Sequence, residues 1–337
     1  MGTVNNSKRL VDPEIIRALR NIAPGCTSCD VPLDQMSWYK IGGKADVLIE
    51  PDMQHMAAAI IKYLKTYNIL YTVIGSTSNI LFDDAGYRGV LIKIADNNFT
   101  HIKIDDDAAV QVGAGVWVPF YVRNLINKGI GECVHAVGIP GSLGGLIMMN
   151  GGSLRKGIGE QLLDVTIVDS DGNIRILKQE ECAFGYRASA LQKMDCIILE
   201  ARFQYKGGEN ISTVRREALD LLVSRSQKFP RKYPSCGSVF LSYPEMYEIV
   251  GPPGKAIEDL GFKGKTVGGA QISPVHANFI INKGGAKAWD VLNLIHQCRQ
   301  RIMDKSGFDM RCEVRFLPAD GSLCPAHLQA DAVFKTV

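Results

Sequence analysis

The 337-residue sequence predicts an α+β chain of three lobes, and three changes of texture along it predict this. Residues 45–74 read strand, helix, strand; residues 89–204 read as short strands with polar breaks; after the Lys-Gly-Gly-Glu run at 206–209 longer helices return. At ~150 residues per domain the length suits two domains or three small ones. With 46% hydrophobic and only 22% charged residues, apolar side chains suffice for cores of ordinary size. The expected divisions are a lead-in over 1–35, a first lobe over 36–95, a second over 96–206, a third over 207–318 and an irregular tail over 319–337.

Each element has a local reason. The lead-in is polar, with one short helix at 13–22. A strand at 45–50 is followed by Pro51 and Asp52, which open a helix carrying Met53, Met56, Ala57, Ile60, Ile61 and Leu64 on one face of a 3.6-residue period. A strand at 70–74 then runs directly into Gly-Ser-Thr-Ser-Asn at 75–79. Further on, VLIKI (90–94), HIKI (101–104), AVQVGAG (109–115), DVTIVD (164–169), IRIL (174–177) and CIILEARF (196–203) read as strands, with helices at 117–128 and 141–149. The third lobe reads as a helix at 213–225, a Pro-rich stretch, a helix at 256–260, a strand at 278–281, a helix at 286–303 and a strand at 310–317. Strands and helices in separate blocks are the signature of an α+β architecture.

Composition excludes several classes. Lys plus Arg is 38 and Asp plus Glu is 35, a net charge of +3, too balanced for a chain that grips a nucleic-acid backbone or a membrane surface. No apolar run reaches the ~18 residues of a spanning helix. The opening MGTVNNSKRLVDPEII lacks the apolar core of a secretory signal, so the expected location is cytoplasmic. The nine cysteines (Cys26, Cys29, Cys133, Cys182, Cys196, Cys236, Cys298, Cys312 and Cys324) are odd in number and scattered, a poor disulfide framework, and most sit in apolar runs as small hydrophobes. Cys26 and Cys29 form one CxxC without a second pair at zinc-ribbon spacing and read as part of an ordinary loop; with no HxH or HxxxH, no metal site is expected.

The dinucleotide fingerprint and the P-loop are both absent. Two glycine clusters stand out instead, GSTSN at 75–79 and GIPGSLGG at 138–145, with Asn150, Gly151 and Gly152 following. Such runs present backbone N–H groups in a concave turn that suits a diphosphate, and they serve equally as tight turns between packed elements. On the helix from 213, Arg225 shares the stripe of Val214, Ala218, Leu221 and Leu222, so it points toward protein and wants an anion; Lys228, Arg231 and Lys232 follow. Gly237 leaves the Ser238 hydroxyl accessible, although no GxSxG elbow surrounds it. On the last strand Cys312, Val314 and Phe316 alternate with Arg311, Glu313 and Arg315. That pattern fits a charged surface strand, or a polar active-site floor with Glu313 between two cations.

In this order and spacing the segments SWYKIGGKAD (37–46), GSTSNILFDDAGYRGVLI (75–92), VGAG (112–115), GIPGSLGG (138–145), FGYRAS (184–189), PSCGSVF (234–240), GGAQISPVHANFIIN (268–282) and CEVRF (312–316) resemble the UDP-N-acetylenolpyruvoylglucosamine reductases, the MurB flavoenzymes of peptidoglycan synthesis. The direct passage from FGYRAS to the 196–203 strand resembles the shorter of the family's two subclasses. The resemblance implies two lobes forming an FAD-binding domain of the vanillyl-alcohol-oxidase type, with a C-terminal substrate lobe. It implies non-covalent FAD, NADPH as hydride donor and a small nucleotide-sugar substrate, with neither nucleic acid nor membrane as partner; oligomeric state is left open.

By the same resemblance Ser238 is the proton donor, and Arg187 and Glu313 stabilise the enolate-like intermediate. Tyr186, Arg225, Lys228 and Ser242 bind substrate. Gly75, Ser76, Thr77, Ser78, Asn79, Gly138, Ile139, Gly141, Ser142, Gly145, Asn150, Gly152 and Arg315 bind the cofactor. The chain departs from the family pattern at Thr77, where the family has glycine, and at 150–156, where Asn-Gly-Gly-Ser-Leu-Arg-Lys replaces NAGAYG. Leu241 and Ser242 stand for Lys and Asn, and the residues beyond Pro318 lie outside the pattern. Leu241 and Ser242 favour an alternative, a paralogue acting on another activated sugar. A non-catalytic flavin- or nucleotide-binding protein is the reading from a different class.

Overall fold

A computed structural model describes residues 11–95 and 98–334; the first ten residues of the expected lead-in, the 95/96 boundary and the last three residues of the expected tail fall on or against what lies outside that range. The first sheet has four strands in the order Thr27–Pro32, Lys44–Ile49, Tyr87–Lys93, Tyr71–Ile74, and only the first pair is antiparallel. Helix Gln54–Thr66 buries Met56, Ala57, Ile60, Ile61 and Leu64 of the expected face, whereas Met53 precedes the helix and is exposed. The lead-in thus supplies an edge strand as well as helix Pro13–Ile22, and Cys29 sits in that strand rather than in a loop. The segment TSCDVP has no apolar run, because an edge strand buries only part of one face.

The second sheet is wholly antiparallel, in the order Ile102–Ile104, Ala109–Gly113, Ile197–Gln204, Leu162–Val168, Ile174–Lys178. VLIKI pairs in the first sheet, not this one. Helices Val118–Ile126 and Leu143–Met148 cover the second sheet, and one continuous core joins the two sheets. The third lobe is built on helix Ala288–Ser306 and a three-stranded sheet, Thr266–Val267, Ala270–Ile272 and Ile280–Asn282.

Of the strand expected at 310–317 only Arg315–Leu317 is regular; it lies between Cys324–Pro325 and Ile80–Phe82, pairing parallel with the latter. This pairing matters most for function, because it brings the end of the 75–79 loop against Glu313. Among the described residues no helix is long and apolar enough to cross a membrane.

The segment expected to be an irregular tail folds as helix Ala326–Phe334, with Ala326 and Ala330 buried in the third-lobe core. An ion-pair clamp holds it: the Arg299 guanidinium, 7% exposed, pairs with Asp331 on this helix and with Asp309, and its Nε donates to the Met310 carbonyl at 2.6 Å. His327 Nδ1 accepts from the Cys312 amide at 3.0 Å, and burial, with Arg299 adding to it, holds the imidazole down at about 4, so it is neutral at physiological pH. Arg299→Ala removes the ion pairs to Asp309 and Asp331 and the bond to the Met310 carbonyl. The expected destabilisation is about 3 kcal/mol by denaturant unfolding. A loss below about 1 kcal/mol would mean that apolar contact alone docks the helix.

Candidate active site

Ser238 is placed by the backbone on both sides of it. Gly237 adopts φ +76°, where a side chain would be strained, and turns the chain so that Ser238 faces a cavity. The next residues are then locked. The Val239 amide donates to the Asn278 carbonyl at 2.8 Å, the Phe240 amide to Asn278 Oδ1 at 2.9 Å, and Asn278 Nδ2 returns a bond to the Phe240 carbonyl at 3.0 Å. The Val239 carbonyl accepts the Glu313 amide at 2.8 Å, which fixes Ser238 beside Glu313.

The apolar face expected on this last segment is observed, with Cys312, Val314 and Phe316 buried. Its polar face is neither a solvated surface nor a carboxylate between two cations. Glu313 pairs with Arg187 across the site, Nε to Oε1 at 2.8 Å, while Arg311 is exposed beside Asp309. Burial raises the Glu313 pKa and the Arg187 guanidinium opposes that rise.

Arg187 itself sits at φ +50°, a left-handed position that costs a non-glycine residue of order 1 kcal/mol and that its surroundings must enforce. They do so through residues 148–152. Arg187 Nη2 donates to the Gly152 carbonyl at 2.7 Å, Asn150 Nδ2 holds the Gly185 carbonyl at 2.8 Å, and Ser189 Oγ holds the Met148 carbonyl at 2.6 Å. Asn150 is therefore a brace between loops and does not line the cavity, although the sequence reading gave it a cofactor contact.

Two cavities meet at this point. One, of about 1020 Å³, lies at the upper end of the range for ligand pockets and has a largely apolar lining that includes Ile94, Ile139, Met148 and Ile198. Gly75, Ser76, Thr77, Ser78, Asn79, Gly138, Ile139, Gly141, Ser142, Gly145, Gly152 and Arg315 all border it, and so does Arg225. The other, of about 390 Å³, is bordered by Tyr186, Ser242, Tyr247, Lys255, Lys263 and His276. Arg187, Ser238, Glu313 and Phe229 line both. Arg225 thus belongs to the larger cavity rather than to the smaller one with Tyr186 and Ser242, and Lys228, exposed at the end of helix Ile211–Lys228, borders neither.

The larger cavity fits a flavin dinucleotide. A Cβ on Gly75 would lie 2.2 Å from Ser142 Oγ, so the two glycine loops approach more closely than side chains permit. Ser142 caps helix Leu143–Met148 and Ser78 Oγ bonds the Pro140 carbonyl at 2.9 Å, which leaves both loops fixed. Arg315 Nε is buried without a hydrogen-bond partner, and burial pulls the Arg315 pKa down. Burial likewise lowers that of Arg225, with Arg231 and Arg187 adding to the effect. Among the described residues neither arginine has a carboxylate partner: Arg225 lies over the Phe229 ring and Arg315 Nη2 donates to the Leu323 carbonyl at 3.2 Å, and half-buried cations placed so suit an anion such as a diphosphate.

Thr77, where glycine was the family expectation, adopts φ +58° and donates its hydroxyl to the Met36 carbonyl at 3.3 Å, not toward a phosphate. Sequence reasoning did not single out Trp38, Trp117, Tyr247, Lys255, Lys263 or His276. Trp38 and Trp117 carried no polar signal, and the other four lie in a stretch without periodicity.

Comparison with known proteins adds to this geometry. Residues 45–178 match the family described as FAD binding domain, and residues 229–317 match UDP-N-acetylenolpyruvoylglucosamine reductase, C-terminal domain. The chain is similar to UDP-N-acetylenolpyruvoylglucosamine reductase 1 of Corynebacterium glutamicum, 43% identical over 326 residues that cover 97% of this chain and 96% of that one. It is 37% identical over 288 residues to the UDP-N-acetylenolpyruvoylglucosamine reductase of Clostridium botulinum, covering 86% of this chain and 91% of the relative. Among solved structures it resembles the crystal structure of the Thermus caldophilus UDP-N-acetylenolpyruvylglucosamine reductase, with a TM-score of 0.71 at 27% identity over 87% of this chain and 98% of that one.

Proposed function

The chain belongs to the UDP-N-acetylenolpyruvoylglucosamine reductase family, and on that premise we propose that it is an FAD-dependent, NADPH-consuming reductase of the enolpyruvyl ether of UDP-N-acetylglucosamine, acting in peptidoglycan precursor synthesis. The observation that carries the reading is the shared border of the two cavities, where Arg187, Ser238 and Glu313 stand between a flavin-sized space and a smaller one. FAD, when bound in the larger space, supplies a two-electron carrier that accepts hydride from the nicotinamide donor and delivers it to C3 of the substrate.

The remaining work falls to this chain. Hydride arriving at C3 converts the enolpyruvyl methylene to a methyl group and leaves charge on C2 and the adjoining carboxylate. The Arg187 guanidinium, held by Gly152 and Glu313, stabilises that charge in a site where water is largely displaced. Ser238 Oγ gives its proton to C2 and is reprotonated from solvent; an alcohol can do this only because the carbanionic carbon is strongly basic. Tyr186, whose ring lies under the Arg187 guanidinium at 5.3 Å, and Ser242 line the substrate side. Arg225 supplies positive charge from the flavin side, and Lys228 gives long-range attraction only. Gly75, Ser76, Ser78, Gly138, Ile139, Gly141, Ser142, Gly145 and Gly152, with Asn79 and Arg315, would hold the cofactor.

The test is the visible spectrum of the purified protein under anaerobic conditions. Oxidised-flavin bands are expected to bleach on addition of NADPH and to return on addition of the enolpyruvyl nucleotide sugar. Bands that bleach but return only with a different activated sugar would favour the paralogue, for which Leu241 and Ser242 speak. A colourless protein that FAD does not reconstitute would overturn the reductase reading.

A further inference from the structure

The indoles of Trp38 and Trp117 lie parallel, ring centroids 5.6 Å apart and planes 10° from coplanar. Trp38 is 40% exposed although the residues on either side, Ser37 and Tyr39, are fully buried. Its backbone is pinned: the Tyr39 amide donates to Ser37 Oγ at 3.1 Å and the Tyr39 hydroxyl to the Ile280 carbonyl at 2.9 Å. Trp117 is fixed as the residue that starts helix Val118–Ile126 and pairs through its backbone with Ser142. A rigid backbone therefore displays a wide apolar ring to the outside, which a core residue does not do. With Ser76 and Thr77 the two indoles border a small pocket of about 280 Å³, and the same four residues border the large cavity, so the two spaces adjoin at the indoles.

The loop between them gives the cavity a direction. At one end Asn79 Nδ2 donates to the Glu313 carbonyl at 3.1 Å, which is the reacting end. At the other, Thr77 Oγ1 donates to the Met36 carbonyl at 3.3 Å, two residues before Trp38. A dinucleotide with its redox ring at Glu313 and its diphosphate on 75–79 and 138–142 must put its second nucleoside at the indole end. Parallel indole faces are what a flat purine stacks on, extending the stack by one ring.

We propose that Trp38 and Trp117 form the shelf for the adenine of the flavin dinucleotide, an assignment that rests on the flavin reading of the large cavity. The shelf then sets the preference for FAD over FMN, which shares the redox ring and lacks the adenosine.

The experiment is titration of the full-length apoprotein with FAD and, separately, with FMN. Trp38→Ala is expected to weaken FAD binding about 10- to 100-fold, as loss of one base–aromatic stack does, and to leave FMN binding unchanged. Trp38→Phe should restore most of the difference. Equal losses for FAD and FMN would show the pair to be structural, and unchanged FAD affinity would place the adenine elsewhere; either overturns the assignment while the flavin reading stands. A higher KM for NADPH with FAD affinity unchanged would give the shelf to the donor's adenine instead, also against the proposal. A wild-type protein that binds neither flavin would overturn the flavin reading itself.

Discussion

Ser238→Ala is expected to separate the two halves of the reaction. Reduction of the flavin by NADPH should stay within about 3-fold of wild type, because hydride leaves the donor without a protein proton. Reoxidation by the enolpyruvyl substrate should slow by about 10³-fold, within the range that general acids contribute. The substitution removes one hydroxyl from a segment held by Asn278 and by the Glu313 amide, so the fold around it is kept. Stopped-flow absorbance resolves the two steps in one preparation. Equal slowing of both would mean that Ser238 shapes the cavity border and donates no proton.

Ser238 is singled out by the family motif around it, not by a spacing of its own; what else the sequence showed depended on the kind of signal each segment carries. Helix Gln54–Thr66 and the strands of the second sheet have strong periodicity and appear where the spacing puts them. Strand Thr27–Pro32 and helix Ala326–Phe334 have weak patterns, since one is a half-covered edge and the other is held largely by Arg299 and the Cys312 amide from distant parts of the chain. Arg225 was rightly read as inward from its stripe on the helix, but the stripe cannot say which cavity it faces. Lys228, three residues later and last in the helix, is exposed although its spacing would place it near the same face.

Glu313 shows the same limit from the other side. Alternation along 312–316 predicts which side chains are buried, and they are. It cannot supply the partner, because Arg187 is 126 residues away and arrives through a strained turn braced by Asn150 and Gly152. Local patterns decide elements; pairings of long sequence separation decide the site.

That long-range pair carries the second prediction. Arg187→Ala should slow reoxidation by substrate about 10²- to 10³-fold, the cost of removing one preorganised charge from the developing anion. It should also destabilise the fold by about 2–3 kcal/mol, because the Glu313 carboxylate loses its counter-ion in a site only 21% exposed. Burial already sets the Glu313 pKa above its ordinary 4.5, and Arg187 is what restrains the rise. A carboxyl whose folded pKa exceeds its unfolded one contributes stability fully below the unfolded value, and that contribution is lost as pH climbs through the folded value. In Arg187→Ala the folded value rises further, so the destabilisation should be largest near neutral pH and should shrink as pH falls toward 4.5. Adding Glu313→Gln removes the uncompensated charge. The double variant should therefore regain most of the stability lost at pH 7 while remaining catalytically impaired, a coupling that unfolding curves of the two single variants and the double variant measure directly. If Arg187→Ala is equally destabilised at pH 5 and pH 8, or Glu313→Gln rescues nothing, the guanidinium acts through its bond to the Gly152 carbonyl rather than by holding the carboxylate in its charged form.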